Sequence, residues 1–310
     1  MSQNQHRFSE AVAEYLSIRR AMGYKVERHE RLLGQFVNYL NQVAATTVTT
    51  EHALAWATLP PRGKGTWWPD RLSIVRGFAS YLTTIDPATE VPPVDLLPSR
   101  RRRATPYLYS TQDIAEMLAA AGRLRSPWRA LTYQTLLGLL TVTGMRIGEA
   151  IRLDHGDFDL DLGLLLVRDT KFGKTRELPL HRTTVAAIES YIAKANARKP
   201  VSPALFVSTT GTRLRYRNAC QTFHQIISAA GLTPRTPSCR PRLHDIRHTF
   251  AVNTMLDAYR DHDDVNRLVP LLSTYLGHVD PAATYWYLSA APELLAVAGQ
   301  RLHKHLEGQR

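Results

Sequence analysis

The segment "RLHDIRHTFAV" (residues 242–252) places His244, Arg247 and His248 close together in an otherwise apolar stretch. Cationic and titratable side chains at this spacing repel one another when they are charged. A fold that keeps them together needs a compensating negative charge, which a bound anion would supply. The residue types in this segment therefore indicate an anion-binding site.

Three further segments place polar side chains beside glycines or at predicted helix starts. The segment "TGMRIGEA" puts Arg146 where a helical pattern begins, and the N-terminus of a helix attracts anions. The segment "TKFGKTRELPL" puts Lys171 at the turn of a predicted hairpin. The segment "LGHVDPAATYWYL" carries His278 and, nine residues later, Tyr287. A cationic pocket that also holds a tyrosine is the hypothesis that these spacings raise.

Apolar side chains recur at helical spacing through the first hundred residues, which predicts a bundle of four helices. Gly23 is predicted to end the first helix and Asp70 to open the fourth, with Trp67 and Trp68 as core anchors. The first two apolar stripes consist of Phe8, Ala11, Val12, Tyr15 and Leu16, and of Leu32, Leu33, Phe36, Val37 and Leu40.

A proline-rich and arginine-rich segment, "VPPVDLLPSRRRRATPYLY", predicts a domain boundary because its prolines forbid a continuous helix. We expect an N-terminal helical domain at 1–98, a basic linker at 99–106 and a second domain at 107–310. The run Arg100, Arg101, Arg102 and Arg103 must be solvated or paired, so the linker either follows a polyanion or is simply solvated. Lys64, in the earlier loop "PPRGKGTWWPD", is a further candidate for a phosphate contact.

The second domain is predicted to be helical around one small antiparallel sheet. Ser110 or Thr111 caps its first helix, and "LGLLLVRDT" and "TRELPLH" form a hairpin. From residue 182 onward the pattern predicts helix to the C-terminus, ending in an amphipathic helix that packs in cis or on a neighbouring protomer. The expected fold class is therefore mainly α with a small antiparallel β-sheet in the C-terminal domain.

The charge balance favours a polyanionic partner. The chain carries 39 Lys and Arg against 27 Asp and Glu, a net charge of +12, which favours nucleic acid first and an anionic membrane surface second. No signal-peptide core and no 18-residue apolar run is present, so we expect a cytoplasmic protein without a membrane partner. Cys220 and Cys239 form no metal-binding or redox motif and are expected to be reduced thiols.

Taken together and in this order, the segments resemble the tyrosine recombinase (phage integrase) family. The family carries an Arg in "TG-x-R-x-x-E", a Lys in a hairpin before "PL", the motif "H-x-x-R-H", and "LGH" followed nine positions later by Tyr. This chain has "TGMRIGE", "TKFGKTRELPL", "HDIRH" and "LGHVDPAATYWY". The resemblance spans about residues 107–295, and the first domain resembles the family's SAM-like helical core-binding domain.

The resemblance implies a role for each of these residues. Tyr287 would attack a DNA phosphate, while Arg146 and Arg247 would bind the non-bridging oxygens, which gain charge at five-coordinate phosphorus. Nearby cations would also favour the phenolate form of the tyrosine.

Three further residues would assist that reaction. His244 would transfer a proton or donate a hydrogen bond, Lys171 would protonate the 5′-oxygen leaving group, and His278 would hydrogen-bond the phosphate. Because the bond energy is kept in a phosphotyrosine, the reaction would need no ATP. The resemblance also implies that it needs no metal and no cofactor.

Competing assignments stay open at several positions. Tyr285 competes with Tyr287 as the nucleophile, and Lys174 competes with Lys171 as the acid; counting from "LGH" and back from "PL" favours Tyr287 and Lys171. His248 follows His244 at a spacing found in zinc sites, but we interpret it as a structural histidine.

We interpret Glu149 as structural too: a residue that pairs with Arg146 or caps its helix.

The function implied is a site-specific DNA recombinase of integrase or transposase type. It would cleave and rejoin double-stranded DNA through a 3′-phosphotyrosyl intermediate and a four-way junction, as a tetramer on two sites. Integration, transposition, cassette exchange and dimer resolution all use this chemistry. A type IB topoisomerase, a non-catalytic DNA-binding protein and a metal-dependent nuclease are the alternatives.

Overall fold

The computed structural model describes residues 3–59, 67–98, 105–168, 175–198, 201–261, 265–277, 284 and 299. The chain divides into two compact units, residues 1–103 and 104–310, and each is described by itself. Among the described residues, none of the helices combines the length and the apolar character needed to cross a membrane.

The first unit is a bundle of helices built on the apolar stripes expected from the sequence. Leu33 and Phe36 of the second stripe and Phe78 of the last helix are fully buried in a shared core, and Trp56 is 2% exposed beside them. Burial of these stripes removes apolar surface from water, which is the main stabilising contribution to a bundle of this kind. The helices are α1 (Gln3–Ala21), α2 (Glu27–Gln42), α3 (Thr50–Thr58) and α4 (Trp67–Leu82).

The fourth helix starts earlier than the sequence pattern predicts. It begins at Trp67, not at Asp70, because a proline at position 69 is tolerated in the first helical turn, where no intrahelical partner is needed for its nitrogen. Asp70 still lies in that first turn, 3.2 Å from the guanidinium of Arg28. Trp67 is half-buried and packs against this core as expected, Trp68 is half-buried, and the buried tryptophan of the core is Trp56.

The second unit contains the remaining helices and a three-stranded antiparallel sheet of order β1-β2-β3. Strand β2 is central, and its pairs include Leu165 opposite Leu178 and Val167 opposite Arg176. The elements are α5 (Thr111–Gly122), α6 (Pro127–Thr143), α7 (Ile147–Arg152), a 3-10 turn (His155–Asp157), β1 (Phe158–Asp159), β2 (Leu164–Val167), β3 (Arg176–Pro179), α8 (Arg182–Asn196), α9 (Tyr216–Ala229), α10 (Asp245–Arg260) and α11 (Val265–Leu276).

The expected fold class is confirmed, as is the antiparallel pairing of the two hairpin arms. The expectation of continuous helix after residue 182 is wrong. Residues 201–215 form no helix, and the backbone N–H of Leu205 donates to the carbonyl of Leu153 at 2.8 Å. Backbone groups that pair with a distant segment in this way are not available to a helix.

Local signals at three helix ends behave as the sequence indicates. Ser110 caps α5: its hydroxyl accepts from the N–H of Asp113 at 3.0 Å, and the Asp113 carboxylate accepts from the N–H of Ser110 at 2.9 Å. Gly23 ends α1 with a φ of +81°, and Gly144 ends α6 with a φ of +60°. Gly144 also begins the short connection to α7, which carries the first site residue.

Candidate active site

Arg146 lies in the sharp connection between α6 and α7. Gly144 takes a left-handed conformation, and Arg146 is extended with φ −74° and ψ 142° as the N-cap of α7. Its side chain is 29% exposed, and its Nη1 donates to Glu149 Oε1 at 2.8 Å. The backbone N–H of Arg146 donates to Glu149 Oε2 at 3.0 Å. Arg146 is therefore held at a helix N-terminus with its side chain partly exposed to solvent.

Glu149 is a buried carboxylate that bridges two arginines. Its side chain is 2% exposed, and besides Arg146 it accepts from Arg176 Nη2 at 2.8 Å. Burial on its own would raise the pKa of Glu149, but the hydrogen bonds and charge of Arg176, with those of Arg146, outweigh burial and lower the pKa to about 2. The expectation that Glu149 pairs with Arg146 is confirmed.

Arg247 is a buried guanidinium that ties together segments far apart in the chain. It is 2% exposed, and its Nη1 donates to the carbonyl of Gly144 at 3.0 Å while its Nη2 donates to the carbonyl of Leu276 at 2.7 Å. Gly144 stands two residues before Arg146, and Leu276 is the last residue of α11. Arg247 thus fixes the α6–α7 connection against the end of α11.

His244 is the N-cap of α10, the helix that carries Arg247. The pKa of His244 is lowered to about 4, first by partial loss of hydration and then by the charges of Arg247, Arg146 and Arg242. His244 is nevertheless exposed to solvent, so water screens part of that repulsion. A histidine with a lowered pKa is neutral at pH 7 and keeps one ring nitrogen able to accept a proton.

Asp245, the first residue of α10, holds the start of that helix through a buried ion pair. It is fully buried, and its two oxygens accept from Arg242 Nε at 3.0 Å and Nη2 at 2.9 Å. The ring of His248 packs edge-on against His244 at 4.8 Å between centroids, and its Nε2 lies 3.9 Å from Asp245 Oδ1. These contacts fix the helix turn that presents His244.

Arg176 is the site residue that sequence reasoning missed. It opens β3, its side chain is 11% exposed, and its guanidinium meets the Glu149 carboxylate. A signal was present in the strand pattern, because Arg176 is in phase with the buried Leu178 and so points to the same face of the sheet. A charged group on an inward face needs partners that compensate for the lost water, and for Arg176 that partner is the buried Glu149 carboxylate.

The described residues bring together Arg146, His244 and Arg247, three of the residues singled out from the sequence. The other candidates lie outside the described residues: Lys64, Arg100, Arg101, Arg102, Arg103, Lys171, His278 and Tyr287. The competing residues Lys174 and Tyr285 and the expected C-terminal helix lie outside them as well.

The arrangement is suited to an anion with several oxygens. Guanidinium groups bind phosphate and carboxylate oxygens through paired N–H groups, and their charge persists at any working pH. Arg146 and Arg247 both act on the His244 ring electrostatically, so the three groups share one basic environment. Among the described residues, no cluster of His, Cys, Asp and Glu could hold a metal ion.

Comparison with known proteins identifies the family. Residues 110–293, more than half of the chain, match the phage integrase family. The chain belongs to this family of tyrosine recombinases. A Sinorhizobium fredii protein named integrase/recombinase y4rB is 44% identical over 97% of this chain and 98% of its own length. The tyrosine recombinase XerC of Herpetosiphon aurantiacus is 27% identical over 88% of this chain and 87% of its own length.

A solved structure shares the fold. The XerH site-specific recombinase, crystallised with a palindromic difH substrate in a post-cleavage complex, superposes with a TM-score of 0.64 at 17% identity, over 86% of this chain and 77% of that chain. The predicted family and fold class are thereby confirmed. The chain is a site-specific DNA recombinase, and its relatives do not favour a topoisomerase or a non-catalytic DNA-binding protein.

Proposed function

We propose that this recombinase cleaves DNA by attack of Tyr287 on a phosphodiester, forming a 3′-phosphotyrosyl bond and releasing a 5′-hydroxyl. The observation that carries the proposal is the convergence of Arg146, His244 and Arg247, brought from separate helix ends into one basic environment. A phosphodiester is an anion with two non-bridging oxygens, which matches two guanidinium groups.

Charge development during the reaction explains why arginines are required. The non-bridging oxygens gain negative charge when phosphorus becomes five-coordinate, so donors held in place beforehand stabilise the transition state more than the substrate. Arg247 is held by two backbone carbonyls at 3.0 Å and 2.7 Å, and Arg146 by the Glu149 carboxylate at 2.8 Å. Such fixed groups need little reorganisation when the charge appears.

The proton inventory assigns the remaining roles. Attack by a tyrosine releases a phenolic proton, and departure of the 5′-oxygen requires one. The neutral His244 ring can accept or share the first, and Lys171 supplies the second as general acid. His278 donates a hydrogen bond to the phosphate. In religation the same groups act in reverse, with the 5′-hydroxyl as nucleophile.

The partners follow from this chemistry. The substrate is double-stranded DNA carrying two recombination sites, and XerH, which has the same fold, was crystallised with its difH substrate. We propose that the N-terminal helical domain, Lys64 and the linker arginines Arg100, Arg101, Arg102 and Arg103 contact the DNA backbone. Binding through many phosphates should weaken steeply as salt rises.

We further propose that recombination proceeds by two strand exchanges through a four-way junction within a tetramer on DNA. The setting would be integration or transposition of a mobile element, in the cytoplasm where bacterial DNA is held. The relative named integrase/recombinase y4rB, aligned over nearly the whole chain, supports this class of role.

The test is to trap the covalent adduct on a nicked DNA substrate in the presence of a chelator. The wild-type protein should form an adduct at the 3′ phosphate, and peptide mapping should place it on Tyr287. The Tyr287→Phe variant should bind DNA equally well and form no adduct, whereas the matched Tyr285→Phe variant should still form it. Adduct formation by Tyr287→Phe at the wild-type level would refute the nucleophile assignment.

The choice between two lysines is tested separately. The Lys171→Ala variant should cleave an ordinary substrate slowly. Its cleavage rate should recover on a substrate in which sulfur replaces the bridging 5′-oxygen of the scissile phosphate, because a thiolate leaves without protonation. Lys174→Ala should behave as wild type on both substrates. The opposite result would transfer the acid role to Lys174.

A further inference from the structure

Arg176 links strand β3 to helix α7, which follows Arg146. It is the first residue of β3, where it pairs with Val167 of β2, and its guanidinium extends to α7. There its Nη2 lies 2.8 Å from Glu149 Oε2, and its Nη1 lies 3.5 Å from Glu149 Oε1. Arg176 is therefore a direct neighbour of the carboxylate that holds Arg146.

The guanidinium of Arg176 also packs against the glycine that follows α11. Gly277 has a φ of +68°, and a Cβ placed on it would lie 2.9 Å from Arg176 Nη1. The left-handed φ favours glycine at this position, and a Cβ there would force the Arg176 guanidinium to shift. One arginine therefore contacts both the α7 segment and the chain that leaves α11.

Glu149 distributes its two oxygens between the two arginines. Oε1 accepts from the Arg146 guanidinium at 2.8 Å, and Oε2 accepts from the Arg146 backbone N–H at 3.0 Å and from Arg176 at 2.8 Å. The carboxylate remains ionised at every working pH because its pKa is about 2. Its negative charge is permanent and must be balanced within the site.

The net charge of Arg146, Glu149 and Arg176 determines how much positive charge Arg146 presents to a phosphate. Arg146, Glu149 and Arg176 together carry two positive charges and one negative charge, so a net charge of +1 remains. Without Arg176 the remaining pair would be neutral. The only charged partner of Glu149 in the group would then be Arg146, the residue expected to bind the phosphate.

We propose that Arg176 is a positioning residue of the recombination reaction: it neutralises Glu149, so that Arg146 keeps its orientation and presents its positive charge to the scissile phosphate. This inference rests on the proposed function, in which Arg146 binds the phosphate. Arg176 itself acts through Glu149 and does not touch the reacting atoms.

The first test measures single-turnover cleavage of a nicked substrate by the full-length protein. Arg176→Gln should lower the cleavage rate about 100-fold, in the range seen when one transition-state donor is lost. Its affinity for DNA should change less than about threefold, because many other phosphate contacts remain. Arg129→Gln, which removes a half-buried arginine paired with Thr222 on α9, is the matched control and should cleave at the wild-type rate.

The second test separates charge balance from a structural role. Arg176→Lys keeps the charge and should retain cleavage within about tenfold of wild type. The double variant Arg176→Gln with Glu149→Gln removes one charge of each sign and restores a net charge of +1. It should therefore cleave at least about tenfold faster than Arg176→Gln alone. A merely structural role predicts that the two losses add.

The outcomes are distinguishable from failure of the proposed function. If the wild-type protein forms no covalent adduct, the proposed function itself is wrong. If the wild type forms the adduct and Arg176→Gln cleaves at the wild-type rate, only the role of Arg176 is refuted. The same conclusion follows if the double variant is slower than Arg176→Gln, or if Arg176→Lys is as inactive as Arg176→Gln while both remain folded by circular dichroism.

Discussion

Replacement of Gly144 by alanine should disturb the site at its most constrained backbone position. Gly144 has a φ of +60°, ends α6 and stands two residues before Arg146. A Cβ added there would overlap the ring of Phe250, which stacks on Tyr275 with 5.7 Å between centroids. The substitution therefore combines backbone strain with a steric clash.

The size of the effect follows from these two contributions. A left-handed conformation costs an alanine roughly 1 kcal/mol relative to glycine, and an added methyl group in a packed site costs about 1–3 kcal/mol. The free energy of unfolding should therefore fall by about 2–4 kcal/mol. For a unit of this size the melting temperature should fall by about 4–16 °C.

Cleavage should be impaired as well, because the Gly144 carbonyl accepts from Arg247 at 3.0 Å. Displacement of a transition-state group by about 1 Å can lower a rate 100-fold. The assays are urea denaturation of the full-length protein and single-turnover cleavage of a nicked substrate.

Two variants complete the design. Gly138→Ala changes another glycine of α6, where nothing lies within 4 Å of an added Cβ, and should stabilise the protein by about 0.5–1 kcal/mol. Combining Gly144→Ala with Phe250→Ala should remove the clash, so that the loss is smaller than the sum of the single losses. A loss below about 0.5 kcal/mol for Gly144→Ala, or strict additivity in the pair, would refute the reasoning.

Three further predictions concern charge and capping. Glu149→Gln should lower the free energy of unfolding by about 3 kcal/mol near pH 7, since the Glu149 pKa is lowered to about 2. This stability is present above pH 4.5 and lost as pH falls toward 2, so urea denaturation should show the difference closing there. The control is Glu177→Gln, an exposed surface change whose free energy of unfolding at pH 7 should stay within about 0.5 kcal/mol of wild type. The His244 pKa, measured by NMR titration, should lie at least about one unit below 6.5, and a pKa at or above 6.5 would contradict the repulsion by neighbouring arginines. Because the unfolded chain then binds the proton more tightly, the folded protein should lose stability as pH falls from 6.5 toward 4, and the His244→Asn variant should lack this pH dependence. Ser110→Ala should lower the free energy of unfolding by about 1 kcal/mol, because the Asp113 N–H loses its acceptor, and a neutral result in thermal unfolding would argue against the cap.

Helices and their ends could be predicted where the determining residues are local. The stripe from Phe8 to Leu16 is buried, Gly23 takes a positive φ, and Ser110 caps α5. These outcomes depend on side-chain periodicity and on backbone preferences of single residues. The start of α4 was missed because the glycines before Trp67 and a proline two residues after it suggest a loop.

The remote partners of the non-helical segment at 201–215 could not be predicted, for a different reason. The helical pattern there is weak, and what decides the structure is pairing with a remote segment. Arg213 donates to the carbonyls of Ile151 and Leu153 and to the carboxylate of Asp154. The pattern of residue types within the segment does not indicate these hydrogen-bond partners.

The sequence by itself determined the residue types of the site and their order, because four spaced motifs sufficed to indicate the family and the chemistry. It also determined that Arg146 opens a helix, since a glycine two residues earlier ends the previous one. Only the tertiary structure decided that Arg247 holds the carbonyls of Gly144 and Leu276, and that Arg176 balances Glu149. Those contacts join residues far apart in the chain, and the energy of a buried charge depends on its neighbours in space, not on its neighbours in sequence.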